Sequence, residues 1–567
     1  MTVVKPTHFV VVPLAMWGHL RPLLHLSLNL LAVHPNLHLT LLAAPSVLPK
    51  VESELKSTSF AHIYTPSPTT SGTSTPSLGA SASASAGAST DAHHTSSKEQ
   101  QQENKAIADR LQVITCISPE FDLPEQWDPA TMAKEGVDYA KTIPAFLKDL
   151  LGKEHKIQGI NNKFEDIAPD FLIFDVFNFF IPDVMRAVSC ESGNRVIPLI
   201  GFVPSNATAS YHTFAEEEKG GSFAKMLRLV KEDVAKGRDT TEAYGEHSFA
   251  AYGQVKKLPG LADKFDWPNM ATIPFPPGTF MAVIPSVQLT DDENMTGLIC
   301  PTTAEIEMEA VEALEKDLGK RVYMVGPQFP ESSWIGEHPI PKASNAEDEK
   351  VYRFLDDMDE KYGPNSVIYV SFGSIFFPVL RPEIIRYILQ SLKQAGFPFL
   401  FAHASGMAQI PDELIKELEE YDDCCIVNFA PQWDVVNHDA TGFFLTHCGS
   451  NSTAEAILAE LPLVTMPFAA DQGEFAALLT EVYKVGIDLK QVKTFSKPEY
   501  NKLYDGTVVL GTEDAIKEEL HETWNKLRGP EGEVLRTNMK KLKSTVKQSW
   551  VNGRSKKDML ALGRCFE

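Results

Sequence analysis

Short apolar runs bounded by turn residues recur along this chain with amphipathic helical stretches between them, and no other feature constrains the fold as tightly. A first series comprises Phe9 to Leu14, Leu37 to Ala43, Phe60 to Tyr64, Leu111 to Ile117, Phe171 to Phe174 and Val196 to Phe202, and it pauses after Val322 to Gly326. A second comprises Ser366 to Phe372, Phe399 to His403, Cys425 to Phe429, Phe443 to Thr446 and Leu463 to Pro467. Strand alternating with helix at this spacing predicts a parallel sheet with helices on both faces. Between the two series, Gln328 to Asn345 carries three prolines and several Ser, Gly and Glu, the composition of a linker. The expected fold class is therefore α/β: two doubly wound domains facing across a cleft, with ligands at the carboxyl ends of the strands.

The chain has 567 residues, too many for one compact core. The expected organisation is an N-terminal domain over 1–327, a linker over 328–350, a C-terminal domain over 351–545 and a terminal helical segment over 546–567 packing back on the N-terminal domain. Residues 66–105 form a Ser/Thr/Ala/Gly tract with too few large apolar side chains to offset the entropy of ordering, and are expected to be a disordered insertion. Near the end, Thr512 is placed to cap a helix presenting Ile516, Leu520, Trp524 and Leu527 on one face, with Gly529-Pro530 as its stop and a last helix near Ser555 to Arg564.

A formal charge of -23 argues against nucleic acid as the main partner, so an anionic ligand needs local donors. Seven cysteines, odd in number and without a C-x-x-C pair, argue against a disulfide framework or a structural zinc site. The opening M-T-V-V-K-P-T-H does not read as a signal peptide, and no run of eighteen apolar residues offers a membrane span. A cytoplasmic location is the expectation, with the sequons at Asn206, Asn294 and Asn451 read as chance.

One segment concentrates the chemistry. It reads F-A-P-Q at Phe429 to Gln432, T-H-C-G-S-N-S-T-A-E at Thr446 to Glu455, and P-F-A-A-D-Q at Pro467 to Gln472. A strand that ends in a glycine turn and opens a helix aims unpaired amides and the helix dipole at an anion, and Gly449 to Thr453 supply that junction. Asn451 and Ser452 add side-chain donors, His447 an imidazole hydrogen bond, and Glu455 lies on the same helical face as both, suited to two hydroxyls of a ribose. Taken alone, these residues also describe an ordinary capped helix. A second small-residue turn, Ser371-Phe372-Gly373-Ser374, ends another strand of the same domain. No Walker lysine follows it and no strand is followed by G-x-G-x-x-G, which argues against an ATPase or a dinucleotide oxidoreductase.

From Phe429 to Gln472 the segment resembles the signature box of the UDP-dependent glycosyltransferases of small molecules, family 1, of the plant secondary-product type. Pro431-Gln432, His438, the T-H-C-G run, Asn451-Ser452, Glu455, Pro462, Pro467 and Asp471-Gln472 fall where that box has them. Y-V-S-F-G-S at Tyr369 to Ser374 and V-G-P at Val325 to Pro327 extend the likeness over most of the chain. The resemblance implies a GT-B fold, with an acceptor-binding N-terminal domain and a UDP-sugar-binding C-terminal domain. It also implies roles: Phe429 stacks on uracil, with the Ala430 backbone pairing its edge; Ser374, His447, Asn451 and Ser452 hold the phosphates; Glu455 holds the ribose; Asp471 and Gln472 hold the sugar, with Ser450 near it; and Gly373, Gln432 and Gly449 belong to the same donor site.

Inverting sugar transfer needs a base for the acceptor hydroxyl. The family's G-H-x-x-P pattern matches Gly18, His19 and Pro22 between the first strand and an expected helix over Leu23 to Leu31, making His19 the implied base. Asp175, at the end of the run Phe171 to Phe174, matches the family's Asp that fixes the tautomer of that histidine; His25, His34 and His38 are given surface or packing roles. The only D-x-D near the start of the donor domain, Asp357-Met358-Asp359, reads as part of a charged helix, so the mechanism is expected to use no metal and no cofactor beyond the UDP-sugar co-substrate. Trp17, Phe177, Phe202 and Ser205 are candidates for an acceptor pocket, with part of the stretch from Tyr211 to Pro285 supplying the rest of its wall.

The sequence departs from the box at Phe429 and at Ser450, each commonly Trp in the family. Gln472 leans towards glucose, since galactose users in the family tend to carry His there. The expected activity is transfer of a sugar from UDP to a hydroxyl of a lipophilic small molecule, a phenolic, flavonoid, terpenoid, sterol or hydroxy lipid, giving a β-glycoside. The alternatives are a nucleotide-sugar sensor or inactive scaffold, and a GT-B sugar-nucleotide epimerase, which has no need of His19 with Asp175.

Overall fold

The computed structural model describes residues 6–57, 105–118, 120–124, 129–152, 162–192, 197–247, 250–267, 292–330, 333–334, 343–493 and 500–564. All but the last residue of the serine-rich tract, the expected strand at Phe60 to Tyr64, much of the linker, and 248–249 and 268–285 of the expected acceptor wall lie outside the described residues.

The first sheet contains β1 (Thr7–Val12), β2 (Leu37–Ala43), β3 (Leu111–Thr115), β4 (Phe171–Asp175) and β5 (Leu199–Phe202). A short hairpin follows in the chain, β6 (Val255–Lys256) with β7 (Lys264–Phe265), and then β8 (Met295–Cys300) and β9 (Arg321–Met324) complete the first sheet in the order β3-β2-β1-β4-β5-β8-β9. The second sheet is built from β10 (Val367–Ser371), β11 (Phe399–Ala402), β12 (Cys424–Val427), β13 (Thr441–Thr446), β14 (Leu463–Thr465) and β15 (Gly486–Asp488), in the order β12-β11-β10-β13-β14-β15. Both orders reverse direction once, between β1 and β4 and between β10 and β13, the pattern of a doubly wound sheet with one switch point. Besides the hairpin strands β6 and β7, two strands of these sheets escape the sequence reading. Met295–Cys300 carries Thr296 and Gly297 in its run, and Gly486–Asp488 is only three residues long. Gly297 is needed because a Cβ there would come within 2.4 Å of the Arg321 carbonyl on the neighbouring strand.

The second sheet shows why its strands read as unbroken apolar runs. Val367, Tyr369, Leu400, Ala402 and Phe444 point into one core, and Ile368, Val370, Phe399, Phe401, Phe443 and Leu445 into the other. Alternate side chains leave opposite faces of a strand, so a sheet covered on both sides needs an apolar residue at every position. The first core is closed by Val351, Leu355 and Met358 of the helix Ala346–Tyr362. The second is closed by Ile384, Ile388 and Leu392 of Glu383–Ala395 and by Ile516, Leu520, Trp524 and Leu527 of Glu513–Arg528. Thr512 caps that last helix through the amide of Ala515, and Asn345 caps Ala346–Tyr362 through two amides. Gly529-Pro530 ends one helix and begins another, since Pro530 sits at the start of Pro530–Asn552, where its missing N–H is not needed.

Packing divides the chain into two compact units, Met1–Phe202 with Asp292–Thr296 and Met559–Glu567, and Val203–Asp291 with Gly297–Asp558. No helix among the described residues is long and apolar enough to cross a membrane.

In the first unit the helix Trp17–Val33 is tied to the helix Leu48–Ser57 by Glu54, which takes the His25 Nε2 at 2.7 Å and the Arg21 Nε at 3.2 Å. Burial alone would raise this carboxyl, but Arg21 and His25 outweigh it and hold it at about 2. A depressed folded-state value contributes stability that is present above the unfolded carboxyl value and lost as pH falls through the folded one. Glu54→Gln is thus expected to lose about 2 kcal/mol of stability at neutral pH. Its urea midpoint should converge on that of the parent chain as pH falls from about 5 towards 2; midpoints that stay apart would remove the ion pair as the cause.

Candidate active site

At the first switch point, Val12 of β1 pairs with Phe174 of β4, so whatever follows each strand emerges side by side. The chain after β1 turns into a helix that begins at Trp17 rather than at the expected Leu23, because the Met16 carbonyl already accepts from the amides of His19 and Leu20. Pro22 therefore lies inside the helix, and His19 stands in its first turn rather than in the preceding loop. β4 ends at Asp175, which is wholly buried. Its Oδ2 is 2.8 Å from the His19 Nδ1, and its Oδ1 accepts the Phe177 amide at 3.0 Å. An ionised carboxylate at that distance fixes the tautomer with Nδ1–H donating, which puts the imidazole lone pair on Nε2. The Phe177 ring stands edge-on to the imidazole, 5.0 Å between centroids, and His19 remains 20% exposed. The site is a buried acid holding a reachable base.

Of the other acceptor candidates, Trp17 is partly exposed in the same first turn, with the Lys50 ammonium 6.0 Å from its ring. Phe202 is fully buried where β5 pairs with β4, opposite Asp175, and packs in the core of the sheet rather than along an open wall. Ser205 belongs to the second unit; its Oγ is buried and finds no partner among the described residues.

The second switch point repeats the arrangement. Ser371 pairs with Thr446, and the turns that follow bring Gly373 and His447 together. A Cβ on Gly373 would lie 3.0 Å from the His447 Cε1, and one on Gly449 would lie 2.5 Å from its Nε2, so the ring is wedged between two glycines. Gly373 also has φ +74°, a conformation that disfavours any side chain. Burial pushes the His447 imidazolium down to about 4, so the ring is neutral at physiological pH and offers one N–H. Cys448 is held in the left-handed region at φ 64°, which turns the chain sharply into the helix Ser450–Leu458. Its N-cap, Gly449, brings no side chain to the first-turn amides.

Around this turn the expected donor residues assemble. Glu455 is buried, and its Oε2 accepts from the Gln432 Nε2 at 2.5 Å. Gln432 also donates to the Ser452 Oγ at 3.1 Å and accepts from the Tyr369 hydroxyl at 3.3 Å. Phe429, by contrast, is 58% exposed beside a buried Ala430, an apolar ring left available for stacking. Ala470, at φ 54°, precedes Asp471, the N-cap of the helix Gln472–Ala477. Gln472 is buried, and its Oε1 accepts the amides of Phe468 and Ala469 at 2.8 and 3.1 Å. Ser374 is exposed, and Ser450 and Asn451 are partly exposed in the helix's first turn. Asp357 and Asp359 lie in the helix Ala346–Tyr362 and not at a strand end.

A family model described as UDP-glucoronosyl and UDP-glucosyl transferase matches residues 341–498. UDP-glycosyltransferase eriJ of Hericium erinaceus is 24% identical over 417 residues, 70% of this chain and 78% of that protein. UDP-glycosyltransferase 74C1 of Arabidopsis thaliana is 28% identical over 265 residues, 46% of this chain, which spans about half (52%) of that relative's length. A Medicago truncatula structure solved with UDP-glucose superposes with a TM-score of 0.61 at 21% identity, covering 100% of this chain and 99% of that one.

Residues 341–498 thus carry a UDP-glycosyltransferase domain, and the chain has the GT-B fold. The candidate donor residues fall on three turns that follow strands of one sheet, Gly373–Ser374, His447–Ser452 and Asp471–Gln472, with Gln432 bonded to both Ser452 and Glu455. The sequence reading gave no site role to Tyr369, quoted there only within a strand motif, whose hydroxyl donates to Gln432, or to Phe376, whose ring is 5.8 Å from that of His447. Neither carries a local signal, since both act through residues far along the chain.

The fit of His447 between two glycines yields a test. Gly449→Ala must displace the imidazole, and is expected to weaken UDP binding on the order of tenfold in calorimetric titration. Unchanged affinity would show that His447 plays no part in holding the diphosphate.

Proposed function

We propose that this chain transfers glucose from UDP-glucose to a hydroxyl group of a lipophilic small molecule in a single inverting displacement, giving a β-glycoside. The observation that carries the proposal is the 2.8 Å contact between His19 and a wholly buried Asp175 in a chain that also holds the donor signature. A binding protein has no use for a carboxylate desolvated to serve one exposed imidazole, whereas a general base does. The Medicago structure, solved with UDP-glucose, supports glucose as the sugar.

In this reading the His19 Nε2 takes the acceptor proton as the hydroxyl oxygen attacks the anomeric carbon, and Asp175 stabilises the imidazolium that forms. The leaving diphosphate meets neutral donors: the His447 N–H, the side chains of Ser374, Asn451 and Ser452, and the amides that open Ser450–Leu458. Phe429 stacks on the base, and Glu455, oriented by Gln432, takes the ribose hydroxyls. Because the Gln472 Oε1 is already engaged by two amides, that side chain meets the sugar through its Nε2–H, beside the Asp471 carboxylate. The charge is handled without a metal ion or a bound cofactor.

Incubation with UDP-glucose and a panel of phenols and sterols is expected to release UDP at a rate that EDTA does not reduce. His19→Ala should lower that rate about 10²–10⁴-fold while UDP affinity is retained. Binding without turnover across the panel would favour a sensor, and unchanged turnover in His19→Ala would remove His19 as the base.

A further inference from the structure

The hairpin β6–β7 presents a pairing that no local rule favours. Lys256 lies directly opposite Lys264, and like charges placed so are destabilising. Each lysine is answered by a carboxylate from one helical stretch: the Lys256 Nζ is 3.0 Å from the Glu474 Oε1, and the Lys264 Nζ is 2.7 Å from the Glu481 Oε1. Glu474 and Glu481 lie two turns apart on the continuous run Gln472–Ala477 and Leu478–Val482, and so share a face. The two pairs differ in burial. The Glu474 side chain is only 5% exposed and also has the His212 Nδ1 3.4 Å away, whereas Glu481 is 44% exposed. Burial by itself would raise the Glu474 carboxyl, but Lys256 and His212 outweigh it and keep it ionised. An exposed pair contributes little, while a buried charge is tightly committed to its partner.

The hairpin is stiffly held. Asp266 accepts the amides of Tyr252, Gly253 and Gln254, and Trp267 is stacked between Phe265 and Tyr500 at 4.0 and 4.5 Å, its Nε1 donating to the Lys502 carbonyl. Lys256 is thus a fixed point, and Glu474 stands two residues after Gln472 in the same short helix.

We propose that Lys256 is a positioning residue for the donor sugar: through Glu474 it fixes the Asp471–Gln472 turn, so that the hairpin between β5 and β8 sets how tightly the sugar half of the donor is held. The inference rests on the reading of Asp471 and Gln472 as sugar contacts.

The test compares the calorimetric affinities of the full chain for UDP and for UDP-glucose, since UDP lacks the group that meets this turn. Lys256→Met is expected to weaken UDP-glucose relative to UDP on the order of tenfold. Lys256→Arg should keep most of the difference, and Lys264→Met, which removes only the exposed pair, should leave it unchanged. If Lys256→Met fails to fold, the double variant Lys256→Met/Glu474→Met leaves no unpaired buried charge and is expected to show the same selective loss. Equal weakening of both ligands, or of neither, overturns the role of Lys256 while leaving the transferase reading intact. A parent chain that binds UDP but not UDP-glucose overturns both.

Discussion

Two strand registers decide where chemistry can occur in this molecule: Val12 against Phe174 in one sheet, and Ser371 against Thr446 in the other. A parallel strand cannot return by a tight turn, so each is followed by a crossover helix, and helices from neighbouring strands leave for opposite faces only where the strand order reverses. The gap left there is what His19 and Asp175 use in the first sheet and what Gly373 and His447 use in the second. A slip of one residue would turn every side chain of the slipped strand to the other face, carrying Asp175 away from His19. The apolar ladders are therefore the primary positioning device for both sets of polar groups.

Those groups are buried, and burial has to be compensated one atom at a time. Asp175 has the His19 ring and the Phe177 amide, Glu455 has Gln432, and Gln472 has two amides of the preceding loop. His447 takes another course and stays neutral, with no partner for its Nδ1 among the described residues. Backbone strain falls in the same places. Cys448, within the His447–Ser452 turn, and Ala470, immediately before the Asp471–Gln472 turn, occupy the left-handed region at a cost of roughly 1–3 kcal/mol each. Such strain persists where the surroundings over-determine it, and here strand pairing on one side and a helix start on the other leave the chain no alternative path.

What the sequence made legible follows from range. Unbroken apolar runs announce strands buried on both faces, and residues Phe429 to Gln472 announce the candidate donor turns because their residues lie close together in the chain. Legibility fails where a decision is made by distant residues. Gly297 interrupts a strand because the Arg321 carbonyl approaches it, and Pro22 points to a helix start that Met16 has already supplied. Phe202 reads as well as a pocket wall as it does as core, and only its pairing opposite Asp175 decides. The bond from Lys256 to Glu474 joins residues 218 apart, beyond any local pattern.

The same difference of range separates the parts of the donor site. On the proposed reading, uridine and diphosphate are met by groups whose positions follow from a strand end and the helix after it, so Phe429 and Ser450 in place of tryptophan change contact area without moving the frame. Phe429 keeps an exposed ring beside a buried Ala430, and Ser450 leaves the first-turn amides uncovered. The sugar turn has no such local guarantee. Its Gln472 is fixed by two loop amides, and Glu474, two residues on in the same helix, is engaged by a lysine from a separate hairpin. On the proposed reading, selectivity for the sugar therefore depends on the long-range contacts that hold this turn as well as on the signature residues themselves.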